Sequence, residues 1–169
     1  YDKDGVLWIG TQGDGLLRWN NEVLQHFTTA DGLADDVILG LMADDQGNLW
    51  MTSQTGILGY SRRQLAEYAR GQSPPLLGMH LGLDEGLANR ECTGAGQPVI
   101  SRGPDGRFWV ATMVGAAGFS PESLTRMARA VEVRVETLIV DGLALQPTGQ
   151  DFRVPASTRR FEFRYSVPE

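Results

Sequence analysis

What the chain lacks narrows its function. Among 169 residues there is one cysteine, Cys92. A single thiol cannot close an internal disulfide, and no Cys-x-x-Cys pair exists for zinc or redox chemistry. Only two histidines occur, His26 and His80. Neither has a second histidine at metal-ligand spacing, so no metal and no cofactor is expected. Basic clusters end at the pairs Arg62-Arg63 and Arg159-Arg160, and the formal net charge is -6. A phosphate backbone is bound by a positive surface, so nucleic acid is excluded as an expected partner. The longest apolar-rich run, Val37 to Ala43, falls far short of the roughly 20 residues that a spanning helix needs. The chain opens on Tyr1-Asp2-Lys3-Asp4-Gly5 without a leader pattern, which reads as the interior of a longer polypeptide.

Glycine is in excess. There are 21, well above the usual share of about 7% of residues. With eight prolines, this composition predicts many turns and short elements and argues against a helical bundle.

The glycines belong to an internal repeat. Gly5-Val6-Leu7-Trp8-Ile9-Gly10-Thr11 returns as Gly47-Asn48-Leu49-Trp50-Met51-Thr52-Ser53 and as Gly106-Arg107-Phe108-Trp109-Val110-Ala111-Thr112. An aspartate, Asp4, Asp45 or Asp105, stands one or two positions before each glycine. Downstream of Trp50 and Trp109 the copies align without a gap: Gly56 with Gly115, Gly59-Tyr60-Ser61 with Gly118-Phe119-Ser120. Upstream, Asp31-Gly32-Leu33-Ala34 is echoed by Asp84-Glu85-Gly86-Leu87-Ala88. The tryptophans stand 42 and then 59 residues apart. The excess falls between Tyr60 and Gly86 and between Gly86 and Trp109, as loop insertions on a constant frame.

Within a copy, Val37 to Met42 reads as an inner strand, Asp44 to Asn48 as a turn, Leu49 to Thr52 as a second strand and Gly56 to Tyr60 as a third. Turns every 8–12 residues on a period near 42 predict an all-β chain. Its residues 1–128 are expected to form a partial β-propeller of about three four-stranded antiparallel blades. Ser61 and Ser120 are placed to cap two short helices, with Pro121 in the first turn of the second. Trp8, Trp50 and Trp109 are expected in the core. After residue 128, Val131, Val133 and Val135 alternate with charged residues, as do Phe161, Phe163 and Tyr165, and Asp141-Gly142 marks a turn.

These residues resemble the two-component regulator propeller repeat, whose core is Asp-Gly-x-Leu-Trp-Ile-Gly-Thr followed by Gly-Leu. Asp4 to Thr11 with Gly15-Leu16 matches closely, and the copies at Asp45 and Asp105 match with substitutions. Residues 129–169 resemble the start of the triple-tyrosine domain, an Ig-like sandwich that follows such propellers. The resemblance implies the periplasmic sensory part of a membrane-bound receptor, with a histidine kinase or diguanylate cyclase as its output. It implies no catalysis in this chain and a small molecule or oligosaccharide as ligand. A structural dimerisation module without a ligand is the alternative, and a glycosidase-type propeller the remote one.

Several motifs imitate chemistry. Gly10-Thr11-Gln12-Gly13-Asp14-Gly15 is glycine-rich, but a strand pattern follows where a phosphate loop requires a helix. Asp2-Lys3-Asp4-Gly5 suggests a calcium loop, yet Thr11 occupies the position that needs a bidentate glutamate. Asp45 to Trp50 also matches the Asp-box hairpin of sialidases, which is structural. Ligand contact is expected instead at Asn89, Arg90 and Glu91, polar residues preceding an inner strand, and at Trp19 beside Asn20-Asn21. Three repeats cannot close a ring, so self-association is expected through open strand edges or as a receptor dimer.

Overall fold

Short apolar runs separated by glycine turns give sheets rather than helices here, because each run is too brief to complete an amphipathic helix. The computed structural model describes residues 1–72, 75–127, 134–145 and 158–166. The first sheet holds β1 (Leu7–Gly10), β2 (Leu16–Asn20) and β3 (Val23–Phe27). The second holds β4 (Gly40–Ala43), β5 (Asn48–Thr52), β6 (Ile57–Ser61) and β7 (Met79–Leu81). The third holds β8 (Ile100–Arg102), β9 (Phe108–Thr112) and β10 (Gly115–Phe119). All pairings are antiparallel between chain neighbours. The chain is all-β as expected. Four strands per blade hold only for the second sheet; the first and third have three among the described residues.

Each outer strand hands the chain to the next sheet's inner strand, so the sheets stack face on face. Trp8, Leu16 and Phe27 pack with Leu49, Met51, Leu58 and Tyr60. Behind them, Trp50, Ile57 and Leu81 pack with Ile100, Phe108, Val110 and Phe119. The alternation of the strands explains both cores at once: Leu49 and Met51 face back, Trp50 faces forward.

Two of the three repeated tryptophans are buried as expected, Trp8 at 9% and Trp50 at 0% exposure, but Trp109 is 44% exposed. The difference has a simple cause. Trp50 is covered by Phe119 of the third sheet, with ring centroids 5.0 Å apart. Trp109 lies on the opposite side of β9 from Phe108 and Val110, outside that core, and carries the Arg107 guanidinium 5.8 Å from its ring centre instead.

The insertion after Tyr60 is now located. In the first sheet, β2 and β3 are joined by Asn21-Glu22, both with positive φ. In the second, the same connection carries α1 (Arg62–Tyr68), capped by the Ser61 hydroxyl accepting from the Gln64 amide. Leu65 and Tyr68 of α1 join the first core. After β10, α2 (Pro121–Met127) begins behind Ser120, whose hydroxyl accepts from the Ser123 amide.

The chain divides into two compact units, Tyr1–Thr125 and Arg126–Glu169. The second contains β11 (Arg134–Val140), β12 (Leu143–Leu145) and β13 (Phe161–Ser166), ordered β12-β11-β13. Asp141 and Gly142, both at positive φ, make the primed turn that suits a two-residue hairpin. Val131 and Val133 lie outside the described residues. Phe161 and Phe163 pair with Val140 and Leu138 across the sheet.

Candidate functional site

The crossovers that link the sheets, residues 28–39 and 82–99, share one backbone device. In the first, the Ile38 amide donates to Thr11 O (2.7 Å) and the Leu39 amide to Thr52 O (2.8 Å). In the second, the Cys92 amide donates to Ser53 O and the Thr93 amide to Ala111 O, both at 3.0 Å. Thr11 and Ser53 hold the same repeat position, as do Thr52 and Ala111. Each crossover therefore ties one sheet to the next with consecutive amides. Ile38 and Cys92 sit in matching places, each 3% exposed. Burial pushes the Cys92 thiol pKa up, which leaves it un-ionised and inert.

Asn89, Arg90 and Glu91 lie on this second crossover. The Asn89 side-chain oxygen accepts from the Glu91 amide (2.8 Å), as Asp35 accepts from the Val37 amide (2.9 Å). Glu91 O accepts from the Met113 amide at 3.0 Å. The backbone is thus committed to the third sheet, and the Arg90 and Glu91 side chains are left exposed. Arg90 reaches a surface hollow of about 430 Å³, beside Thr55, His80, Asp84 and Glu85. Much of this wall is already engaged. Thr55 donates its amide and hydroxyl to Asp35, at 3.2 and 3.1 Å. Glu85 accepts from the Gly82 amide at 2.7 Å. Both acids lining the hollow come from one loop, so it holds no pair of carboxylates opposed across a cleft as glycosidases use. Trp19 is not brought to this place. It stands on the outward face of the first sheet, 41% exposed, opposite Leu7 and Leu24.

At the other end of the stack, the turns before β1 and β5 carry a second device. The Trp8 indole donates to Asp2 (3.0 Å) and the Trp50 indole to Asp44 (2.9 Å). Asp2 also accepts from the Asp4 and Val6 amides, each at 3.0 Å. Asp44 accepts from the Gln46 and Asn48 amides, at 2.9 and 2.8 Å. The sequence reading singled out Asp4 and Asp45, yet both are exposed; the joined residues are Asp2 and Asp44. The overlooked signal is the constant six-residue step from Asp2 to Trp8 and from Asp44 to Trp50. In the third sheet Gly103 takes the aspartate's place. Arg62 adds a charge between sheets, its Nη1 3.0 Å from Asp2, with side chains 10% and 4% exposed. Burial alone would raise the Asp2 pKa. The hydrogen bonds from Trp8 and the Val6 amide, with Arg62 beside them, outweigh it and hold the carboxyl below its ordinary value.

No protein-family model and no curated protein matches the sequence. Among solved structures, the chain is similar to the extracellular domain of BT3049 from B. thetaiotaomicron, assigned to a hybrid two-component system. The TM-score is 0.59 at 17% identity, covering 98% of this chain and 22% of that one. It is also similar to the extracellular domain of BT4673 from the same organism, assigned to a one-component system. There the TM-score is 0.54 at 20% identity, over 73% of this chain and 16% of that one. The chain therefore spans about a fifth of the structures it resembles. At these identities the likeness shows the fold.

Proposed function

We propose that this chain is part of the non-catalytic sensory ectodomain of a bacterial membrane-bound receptor of the two-component type. Its first unit is read as regulator-propeller repeats, and its second as the start of an Ig-like triple-tyrosine domain. The placement is extracytoplasmic and periplasmic. Among the described residues, no helix is long and apolar enough to cross a membrane. The observation that carries this reading is the similarity of nearly the whole chain, 98% of it, to one extracellular sensor domain. The second neighbour supports it independently.

The ligand is a small molecule or oligosaccharide, and the hollow at Arg90 is where it binds. A ligand shifts a receptor only through different affinities for two states. The crossover at Asn89–Thr93 touches two sheets at once, so a ligand held there would sense their relative placement. Calorimetric titration with neutral and acidic oligosaccharides tests this. Saturable heat is expected with at least one class, weakened tenfold or more in Arg90→Ala. Silence across the panel would overturn the ligand reading.

A second reading has its own observation. The backbone of Asn89–Thr93 is hydrogen-bonded to the sheets, and its conformation is accounted for without a ligand. That favours a structural module which holds signalling dimers together, as in a diguanylate cyclase receptor. Silence in calorimetry combined with specific association would favour it.

A further inference from the structure

At the end of the stack that carries the aspartate turns, the two junctions between sheets hold equivalent hollows of opposite charge. Each is bounded by one aspartate turn, the matching turn of the next sheet and the start of a helix. Between the second and third sheets the hollow measures about 140 Å³, and Asp44, Asp45, Asp105 and Glu122 line it with a single cation, Arg102. Between the first and second sheets it measures about 760 Å³, and the cations Lys3, Arg18, Arg62 and Arg63 outnumber the carboxylates Asp2 and Asp4. Among the described residues, none of β4 lines the second hollow, although β4 leads into the Asp44 turn. These spaces therefore belong to the turns and helix starts, not to the inner strands.

Two sequence differences reverse the charge. Opposite the repeated tryptophan, the second and third sheets have Gly59 and Gly118, whereas the first has Arg18. The Arg18 guanidinium lies over Trp8, 5.7 Å from the ring centre. At the helix starts, Ser120 is followed by Pro121-Glu122, and Ser61 by Arg62-Arg63.

These arginines keep donors that the chain does not match. Arg18 gives Nη1 to Gln25 at 2.6 Å and forms no ion pair among the described residues. Its Nε is buried without a partner. Burial holds the Arg18 pKa below its ordinary value by more than Asp2 restores, and Arg70 adds to the lowering. The Arg62 side chain is 10% exposed and meets Asp2 through Nη1 at 3.0 Å, while its Nε is also buried without a partner. Arg63, by contrast, pairs with Glu67 at 2.8 Å. A buried cation is costly without a counter-charge, and the planar guanidinium fork matches a carboxylate through two parallel bonds.

We propose that the hollow between the first two sheets binds a small organic carboxylate, held by Arg18 and Arg62. Asp2 and Asp4 share the wall and disfavour a dianion such as phosphate. The volume falls within the roughly 300–1,000 Å³ of small-molecule sites, and Val6 and Ala66 give the rest of the molecule an apolar wall. This site stands at the end of the stack opposite the Arg90 hollow, and its test is separate from that one.

Two-dimensional NMR of the full chain, followed at the indole N–H signals, tests it at constant ionic strength. The Trp8 indole donates to Asp2 beside the basic hollow, and the Trp50 indole to Asp44 beside the acidic one. Benzoate is the probe, benzamide its neutral counterpart and inorganic phosphate the competing anion. Benzoate is expected to move the Trp8 signal saturably and leave that of Trp50 in place, with no response to benzamide and a weaker one to phosphate. Arg18→Gln is expected to weaken benzoate about tenfold or more, as loss of a charged hydrogen bond does. Arg102→Gln, in the acidic hollow, is expected to leave benzoate binding unchanged. Dispersion of the backbone amide signals checks that both variants fold. Absence of saturation with benzoate overturns the proposal, as does equal binding of benzamide. Wild-type affinity in folded Arg18→Gln, or an equal loss in Arg102→Gln, overturns it too. Phosphate binding tighter than benzoate overturns the carboxylate assignment.

Discussion

Asp44 and Asp45 are adjacent and chemically identical, yet their places in the molecule are opposite. Asp44 is 8% exposed and accepts four hydrogen bonds, from the Gln46 and Asn48 amides, the Asn48 side chain and the Trp50 indole. Asp45 is exposed and accepts from the exposed Arg102, at 2.6 Å. Hydrogen bonds to a charged group contribute about 1.5–3 kcal/mol, and buried donors left without an acceptor cost more. Asp44→Ala is therefore expected to destabilise the chain by about 3 kcal/mol or more, while Asp45→Ala leaves stability nearly unchanged. Urea unfolding followed by tryptophan fluorescence reads both. Equal effects in the two variants would show that the indole bond is not what secures the turn. The repeat made the turn legible in the sequence, but proximity to glycine pointed to the wrong aspartate. Only distance to the tryptophan separates the two, because the acceptor must lie where the indole ends.

At the level of the strand and the helix, most of the architecture was legible. The expected strands at Leu49 to Thr52 and Gly56 to Tyr60 match β5 and β6 within a residue. Ser61 and Ser120 do cap α1 and α2. What escaped was the environment of equivalent positions. A repeat predicts equal local structure, whereas burial depends on what stands next door, and the neighbours of Trp50 and Trp109 differ. The same contrast gives a test. Gly59→Ala would force a Cβ against a fully buried ring that cannot retreat, and overpacking costs about 1–3 kcal/mol. Gly118→Ala meets a ring with solvent on one side, which can shift. Thermal unfolding is expected to show a clear loss of stability for Gly59→Ala and a small one for Gly118→Ala. The reverse order would contradict the assignment of covered and uncovered faces.

At the scale of the whole molecule, the partly buried carboxylates Asp2 and Asp31 couple folding to acid. Asp2 is held below its ordinary pKa of 3.8 by the bonds that outweigh its burial. Asp31 is held below it chiefly by the Tyr68 hydroxyl, 2.7 Å away. A carboxylate with a depressed folded-state pKa adds stability above its unfolded value, and loses it as pH falls through the folded one. Stability is therefore expected to fall as pH drops below 3.8 toward those lower values. Asp2→Asn should flatten part of this fall while lowering stability at pH 7. Urea midpoints measured at several pH values check this, and a variant with an unchanged acid limb would discount Asp2. Of the candidate site, the sequence revealed the crossover loop but not its anchoring. The four bonds that tie the crossovers run between main-chain atoms, which leave no trace in side-chain identity.

That blindness to side chains has an evolutionary consequence. Any residue other than proline supplies the two consecutive amides, and any residue at all supplies the carbonyls. The joint between sheets can then persist while the letters around it drift, and the Leu39 position of one crossover can become Thr93 in the other. The stretch after the joint can lengthen too: Leu39 leads straight into β4, whereas residues 94–99 stand between Thr93 and β8. A chain built this way can revise what its loops touch while inheriting its frame unchanged.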